Sequence, residues 1–301
     1  IVLERTQFPE PVIDQAVEPK TKSDQDKLED ALQRLMQEDP SFRSRIDTET
    51  GQNIISGMGE LHLEIMVDRL QREFRVDCKA GTPRVAYRET ITQAAVSETK
   101  FEQPLDGKEQ FAFCRISLEP IEAGGGFEFE NKLSADELPR IFAEAVEQGI
   151  QGAMSNGVLA GFAMIDLKAT LVAADYLEEL STEVAFSIAG INVLRAGIQK
   201  AKPKLLEPSM KIEVVTPVSF TGEVIGDLNA RHGRIRGMEE QGGIQVISAE
   251  APLAEMFGYS TRLRSLTQGR ASFTMHFSHY SSVTEVIRKA LTGESASSGR
   301  V

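Results

Sequence analysis

Between Asn53 and Phe74 the chain reads NIISGMGELHLEIMVDRLQREF: a β-rich run that ends at Ser56, a Gly-Met-Gly turn, and an amphipathic helix. Leu63, Met66, Val67, Leu70 and Phe74 recur at helical spacing and form its buried face. The turn carries no nucleophile, base or ligand set, so it is an architectural joint. The flanking sequence completes a small α/β unit. Ser23 and Asp26 have the spacing of a capping box. The helix that follows puts Leu28, Ala31, Leu32, Leu35 and Met36 on one side and ends before Pro40. Extended runs at 12–17, 42–46, 52–56 and 75–78, with a hairpin turn at Glu49, Thr50 and Gly51, give the order β-α-β-β-α-β.

The same order returns over residues 207–280. Met210 to Thr216, Arg234 to Met238, Ile244 to Ile247 and Ala271 to Phe277 read as strands, with helical segments after Thr221 and over Pro252 to Leu266. Both stretches have the form of ferredoxin-like split βαβ domains. Residues 86–206 follow another plan: strand-like runs at 112–118 and 127–131, a helix from Ser134 to Met154, an alternating run from Phe162 to Val172, and a helix from Thr182 to Lys200. Gly124-Gly125-Gly126 has the composition of a sharp hairpin turn between two strands. A helix over Ser281 to Leu291 and a frayed tail close the chain. The expected boundaries are therefore 1–7 (end of a preceding part), 8–85, 86–206, 207–280 and 281–301, and the fold class is α+β. Ile1 rather than Met opens a run that leads straight into a strand, which is the expectation for a segment of a longer protein.

Composition excludes several function classes. With 41% hydrophobic residues the 301-residue chain can bury cores for two or three domains. Its apolar runs are too short to span a bilayer, and no secretory leader pattern opens it. Cys78 and Cys114 lack the paired spacing of a zinc site or disulfide framework, so a cytoplasmic setting without membrane contact is expected. No G-x-x-x-x-G-K-[ST] loop occurs, so this segment should bind no nucleotide itself. Four His supply little material for acid-base catalysis. His276 and His279, three apart on a strand, point to opposite faces and make a poor metal pair. No catalytic or metal site is expected.

Charge is unevenly spread. The net values are −4, −8 and 0 over residues 1–88, 89–206 and 207–301. That balance argues against indiscriminate nucleic-acid binding, which rewards cations. From Met256 to Thr284, however, there is no Asp or Glu, while Arg262, Arg264 and Arg270 stand among Gly, Ser, Thr and Gln. Gly269 to Phe277 (GRASFTMHF) also resembles an RNA-recognition-motif signature. There the aromatic strand is the third of four, whereas here it is the fourth, so Phe273 and Phe277 are expected in the core.

Seven blocks in order, SGMGELHLEI from Ser56, VAYRETI from Val85, GGGFEFENKL from Gly124, AVEQGIQGAM from Ala145, LLEPSMKIEVVTP from Leu205, GEVIGDLNARHGRI from Gly222 and PLAEMFGYSTRLRSLTQGRASF from Pro252, resemble the C-terminal half of elongation factor G, the ribosomal translocase family. The resemblance covers nearly the whole chain and implies domains III, IV and V. It implies two ferredoxin-like domains flanking an elongated domain like ribosomal protein S5, with a left-handed βαβ crossover. GTP and Mg would be held by an upstream domain, so the parent would be a GTP hydrolase. The implied partners are the ribosome, its rRNA and proteins, and the tRNA-mRNA duplex in the decoding site; off the ribosome the protein would be a monomer.

The resemblance also assigns residues. One domain IV tip would combine Gly124, Gly125, Gly126 and Phe127 with Tyr176, Leu177, Glu178 and Glu179. Domain V would meet rRNA through Arg231, His232, Arg234, Arg262, Arg264, Gln268 and Arg270. Ser56, Gly57, Met58, Gly59 and Glu60 would form a relay turn in domain III. One departure stands out. The family's second tip loop reads Tyr-His-x-Val-Asp, whereas here it is Tyr176-Leu177-Glu178-Glu179-Leu180, so a hydrogen-bond donor gives way to an apolar side chain. That change fits a specialised paralogue, such as a ribosome-recycling factor. Rivals outside the family are a free-standing RNA-binding protein with RRM-like units and a metal-dependent hydrolase.

Overall fold

The computed structural model describes residues 11–46, 52–105 and 107–293. The expectations for residues 1–7, for the turn at 49–51 and for the tail beyond Gly293 lie outside them. The chain divides into two compact units, one of residues 1–86 and 207–279, the other of residues 87–206 and 280–301.

The first unit begins with β1 (Ile13–Pro19), α1 (Lys22–Glu38), β2 (Arg43–Ile46), β3 (Asn53–Gly57), α2 (Glu60–Arg72), β4 (Cys78–Ala80) and β5 (Arg84–Val85). The sheet order is β2-β3-β1-β4, all antiparallel, with β5 also pairing β1, which is the split βαβ arrangement predicted from periodicity. Leu28, Leu32 and Leu35 of α1 and Leu63, Met66 and Leu70 of α2 are buried with Ile13, Val17 and Ile55 of the sheet.

Two local expectations are corrected. The cap of α1 is Thr21, not Ser23: Thr21 keeps an extended backbone and accepts from the Asp24 amide at 3.2 Å, while its hydroxyl donates to the Asp24 carboxylate at 2.5 Å. The last strand starts at Cys78 rather than Arg75. Arg75 takes a left-handed φ of 55°, and the Val76 amide is spent on Leu70 of the preceding helix.

The second unit contains β6 (Arg88–Ile91), β7 (Ala95–Leu105), β8 (Lys108–Pro120), β9 (Phe127–Asn131), α3 (Arg140–Met154), β10 (Leu167–Asp175) and α4 (Glu183–Lys200). Its sheet order is β7-β8-β10-β9. β10 pairs antiparallel with β8 and parallel with β9, so α3 is the crossover between two parallel neighbours. The run 112–118 is the centre of a longer strand. Its hairpin partner β7, read as SETKFEQ with few β-branched residues, carried too weak a signal to be predicted. The helix predicted from Ser134 begins only at Arg140: Pro139 is its N-cap, and Ser134 closes a separate turn by donating its amide and hydroxyl to Glu137 at 2.8 Å. Glu89 of β6, fully buried, accepts the backbone amides of Leu159 (3.0 Å), Ala160 (2.9 Å) and Phe162 (3.2 Å) and so fixes the loop into β10. Burial pushes the Cys114 thiol up to about 12, which suits a small core residue and not a reactive one.

β11 (Pro203–Pro217) pairs with β6 through residues 203–206 and then enters the first unit. There α5 (Thr221–Ala230), β12 (Arg234–Gln241), β13 (Ile244–Pro252), α6 (Tyr259–Thr267) and β14 (Ser272–Ser282) build a second ferredoxin-like sheet of order β12-β13-β11-β14. The predicted helix over 252–266 is broken by Gly258, at φ 68°, into a short 3-10 turn (Leu253–Met256) and α6. β14 continues to Ser282, so the terminal helix α7 (Glu285–Thr292) starts later than expected. Phe273 and Phe277 pack on the core, with Phe273 edge-on to the buried Tyr259 at 5.0 Å. They are not an open stacking platform.

Contact between α3 and α4 depends on two glycines. A Cβ at Gly190 would lie 2.6 Å from the Val146 carbonyl oxygen, and one at Gly149 would overlap the Ser187 carbonyl, whereas one at Gly152 of the same helix would meet nothing. Gly149→Ala or Gly190→Ala is therefore expected to cost about 1–3 kcal/mol by forcing the helices apart. Gly152→Ala should stabilise by about 0.5–1 kcal/mol. Chemical denaturation of the three variants checks this; equal effects at Gly149 and Gly152 would refute it.

Candidate nucleic-acid interface

The expected tip residues do not form one tip. Leu167, at the start of β10, is opposite Pro120 and beside Phe127, while Asp175, at its other end, is opposite Phe113. The loop of Gly124, Gly125, Gly126 and Phe127 and the turn of Tyr176, Leu177, Glu178 and Glu179 thus lie at opposite ends of a nine-residue strand, about 26 Å apart at about 3.3 Å per residue. Nor is the glycine loop a hairpin, because β10 is inserted between the two strands it connects.

The glycine loop is held from within. Asp166, 7% exposed and itself at φ 59°, accepts the amides of Gly124 and Gly126 on one carboxylate oxygen, each at 3.0 Å. Its own carbonyl accepts from Ile121, and the Gly126 carbonyl accepts from Leu167. Gly124 (φ 85°) and Gly126 (φ 69°) occupy conformations that L side chains avoid. A Cβ at Gly125 would press on Ile121 at 2.8 Å. All three glycines therefore have an intramolecular reason. Asp166 was missed because nothing in the sequence marks an Asp that reaches back over forty residues to two amides.

At the far end, Ser181 organises the second turn. Its hydroxyl donates to the Phe111 carbonyl (2.7 Å) and accepts the Leu177 amide (3.0 Å), while the Leu180 carbonyl accepts the Phe111 amide (2.8 Å). Thr182 caps α4 and donates to Gln110 at 2.5 Å. Below the turn, the Phe142 ring lies 5.8 Å from Tyr176 and stacks at 4.7 Å on Phe186, which brings the first turns of α3 and α4 to the same end. Leu177, Glu178 and Glu179 are exposed.

The arginines of the C-terminal ferredoxin-like domain divide into two groups. Arg231 is mostly buried: it pairs with Asp227 at 2.9 Å, donates to the Glu255 carbonyl and lies over the Tyr259 ring. Arg262 shares Asp227 at 3.1 Å, and His232, at φ 57°, lies 3.4 Å from Glu255. Close by, burial first and Glu255 second push the Glu207 carboxyl upward. Arg234, Arg264 and Arg270 are exposed, and among the described residues no carboxylate lies within ion-pair distance of them; Arg270 stands over the Phe220 ring at 5.9 Å. Gln268, at φ 53°, ends α6 and returns its amide to Arg264. A phosphate would find Arg234, Arg264 and Arg270 available and Arg231 already committed.

In the turn from Ser56 to Glu60, Ser56 donates to Asp14 at 2.6 Å, and Gly57 packs where a Cβ would strike Leu63 and His62. The Met58 amide donates to Nδ1 of His62, whose Nε2 lies 3.0 Å from Asp39. Gly59 and Glu60 begin α2. Burial opposes ionisation of Asp39, but Ser41 and His62 outweigh it and hold the carboxyl below its usual range. His62, overlooked in the sequence, is the strut of the turn.

Asp166→Ala should release the Gly124 and Gly126 amides, raising their hydrogen exchange at least tenfold and costing about 1–3 kcal/mol, while Asp166→Asn, which tolerates positive φ, should retain much of both. Exchange measured by NMR would refute the latch if Ala and wild type matched.

Comparison with known proteins follows this architecture sheet by sheet. The sequence pattern of elongation factor G domain III matches residues 8–82, that of domain IV matches 83–202, and that of the elongation factor G C-terminus matches 204–291. A crystal structure of a Thermus thermophilus protein superposes with a TM-score of 0.74 at 36% sequence identity, over 98% of this chain and 44% of that one. The chain thus spans less than half the length of that relative. With three consecutive signatures in order over the sheets described above, the chain belongs to the elongation factor G family.

Proposed function

We propose that this chain is the C-terminal arm of a ribosome-dependent translational GTPase and promotes movement of tRNA and mRNA through the ribosome. The observation that carries the reading is the unbroken series of domain III, domain IV and C-terminal signatures on a chain without a phosphate-binding loop. The arm would supply mechanics and not chemistry. GTP and Mg would be held by a part of the protein outside this segment, and a change of nucleotide state would shift the population of arm orientations. The Ser56–Glu60 turn, braced by His62 and Asp39, would relay that change as a stiff element. Arg234, Arg264 and Arg270 would meet rRNA phosphates, and the protein would be a monomer off the ribosome.

A second reading, a paralogue that acts in ribosome recycling, is favoured by the far-end turn. There the exposed Leu177 replaces the usual donor and has Glu178 and Glu179 as neighbours. A step that does not grip a duplex tolerates such a surface.

Replacing Arg234, Arg264 and Arg270 together by Ala should weaken ribosome pelleting about tenfold or more at 0.1 M salt and flatten its salt dependence, because each phosphate contact releases counterions. An unchanged slope would exclude these arginines from the interface. In the complete protein, Leu177→His should raise the translocation rate if the missing donor limits that step. An unaltered rate together with efficient subunit splitting would favour the recycling reading.

A further inference from the structure

Glu207 is a carboxyl in poor surroundings for a charge. It lies on β11, is 2% exposed, and its Oε2 atom has no hydrogen-bond partner among the described residues. An orphaned buried oxygen of this kind is costly, and most so when the group is ionised. Two other titratable groups face it within the same unit: Glu255 of the 3-10 turn, and His232, which follows α5. Arg231 offers it no relief, because Asp227 and the Glu255 carbonyl hold that guanidinium, and Arg262 is paired with Asp227 as well. Among the described residues the offset to the two carboxyls is therefore His232, whose Nδ1 lies 3.4 Å from Glu255 and which is a cation only when protonated.

The backbone around His232 points to the same contact. His232 takes a φ of 57°, a left-handed conformation that a β-carbon disfavours, and such strain persists only where neighbours enforce it. Its amide donates to Asn229 at 3.1 Å and the Gly233 amide to Leu228 at 2.8 Å, while a Cβ at Gly233 would lie 2.6 Å from the Leu228 carbonyl oxygen. This turn leads into β12 and its exposed Arg234.

We propose that Glu207, Glu255 and His232 form a proton-operated clasp, which fixes the turn between α5 and β12 against the 3-10 turn in acid and releases it as pH rises. With one proton on Glu207 and another on His232, the negative charge of Glu255 faces a positive one. Loss of both protons to solvent leaves two carboxylates side by side and no cation to offset them. Burial, and Glu255 after it, push the Glu207 carboxyl upward. A group raised in this way contributes stability below its ordinary value of 4.5 and loses it as pH climbs through the raised value, so acid closes the clasp.

The test follows amide hydrogen exchange of His232 and Gly233 in the 301-residue chain by NMR from about pH 5 to about pH 8, corrected for the intrinsic pH dependence of exchange. Protection of both amides should fall at least about threefold across that range in the wild type. Glu207→Gln, neutral throughout, should flatten the fall, and His232→Arg, a permanent cation, should keep the turn protected at the alkaline end. A wild-type profile without the fall would overturn the clasp, and so would a fall that survives unchanged in either variant. Should Glu207→Gln not fold, the wild-type profile and His232→Arg decide between these outcomes. The ribosome reading stands whichever is found, because pelleting with ribosomes tests it separately.

Discussion

The insertion of β10 between β8 and β9 is the constraint on which the second unit depends. A parallel pair cannot be closed by a tight turn, so β9 and β10 require the α3 crossover. Once α3 lies over the sheet, α4 must pack against it, and the close approach at Gly149 and Gly190 follows. The same insertion separates the loops that flank β10. The glycine loop is left at the end where β6 and the start of β11 pair, and the turn after Asp175 at the end where β7 and β8 form their hairpin. Which residues can act together is therefore decided by strand order, not by proximity in sequence.

Buried carboxylates do much of the local positioning. Glu89 collects three backbone amides and Asp166 two, so each buried carboxylate pins a partly exposed loop by its backbone donors. Asp39, itself partly exposed, braces the Met58 amide indirectly through His62. Asp227 gathers Arg231 and Arg262, which removes them from the cations on offer to a partner. Counting arginines in a sequence overstates a basic surface when some are tied down in this way.

Much of the fold was legible because the two ferredoxin-like domains announce themselves by period: helices with apolar residues three and four apart, strands alternating in twos, and Gly or Pro at the joints. The seven blocks made the family legible as well. Less visible were β7, an edge strand of mixed polarity, and the starts of α1, α3 and β4, where a cap, a proline and a left-handed residue outweighed propensity. At the candidate interface the residue types were readable but their company was not. Asp166, His62, Ser181 and Asp227 act across long stretches of chain, through contacts that leave no periodic trace.

By itself the sequence determined the element types, the two split βαβ repeats, the family and the basic and acidic segments, since all of these are local in the chain. Tertiary structure alone decided that the two expected tip loops lie at opposite ends of β10, which arginines remain available, and that Glu255 and His232 face the buried Glu207. The physical reason is that strand order and register are set by hydrogen bonding and packing between segments far apart in the chain, and one inserted strand reassigns the neighbours of every loop beside it.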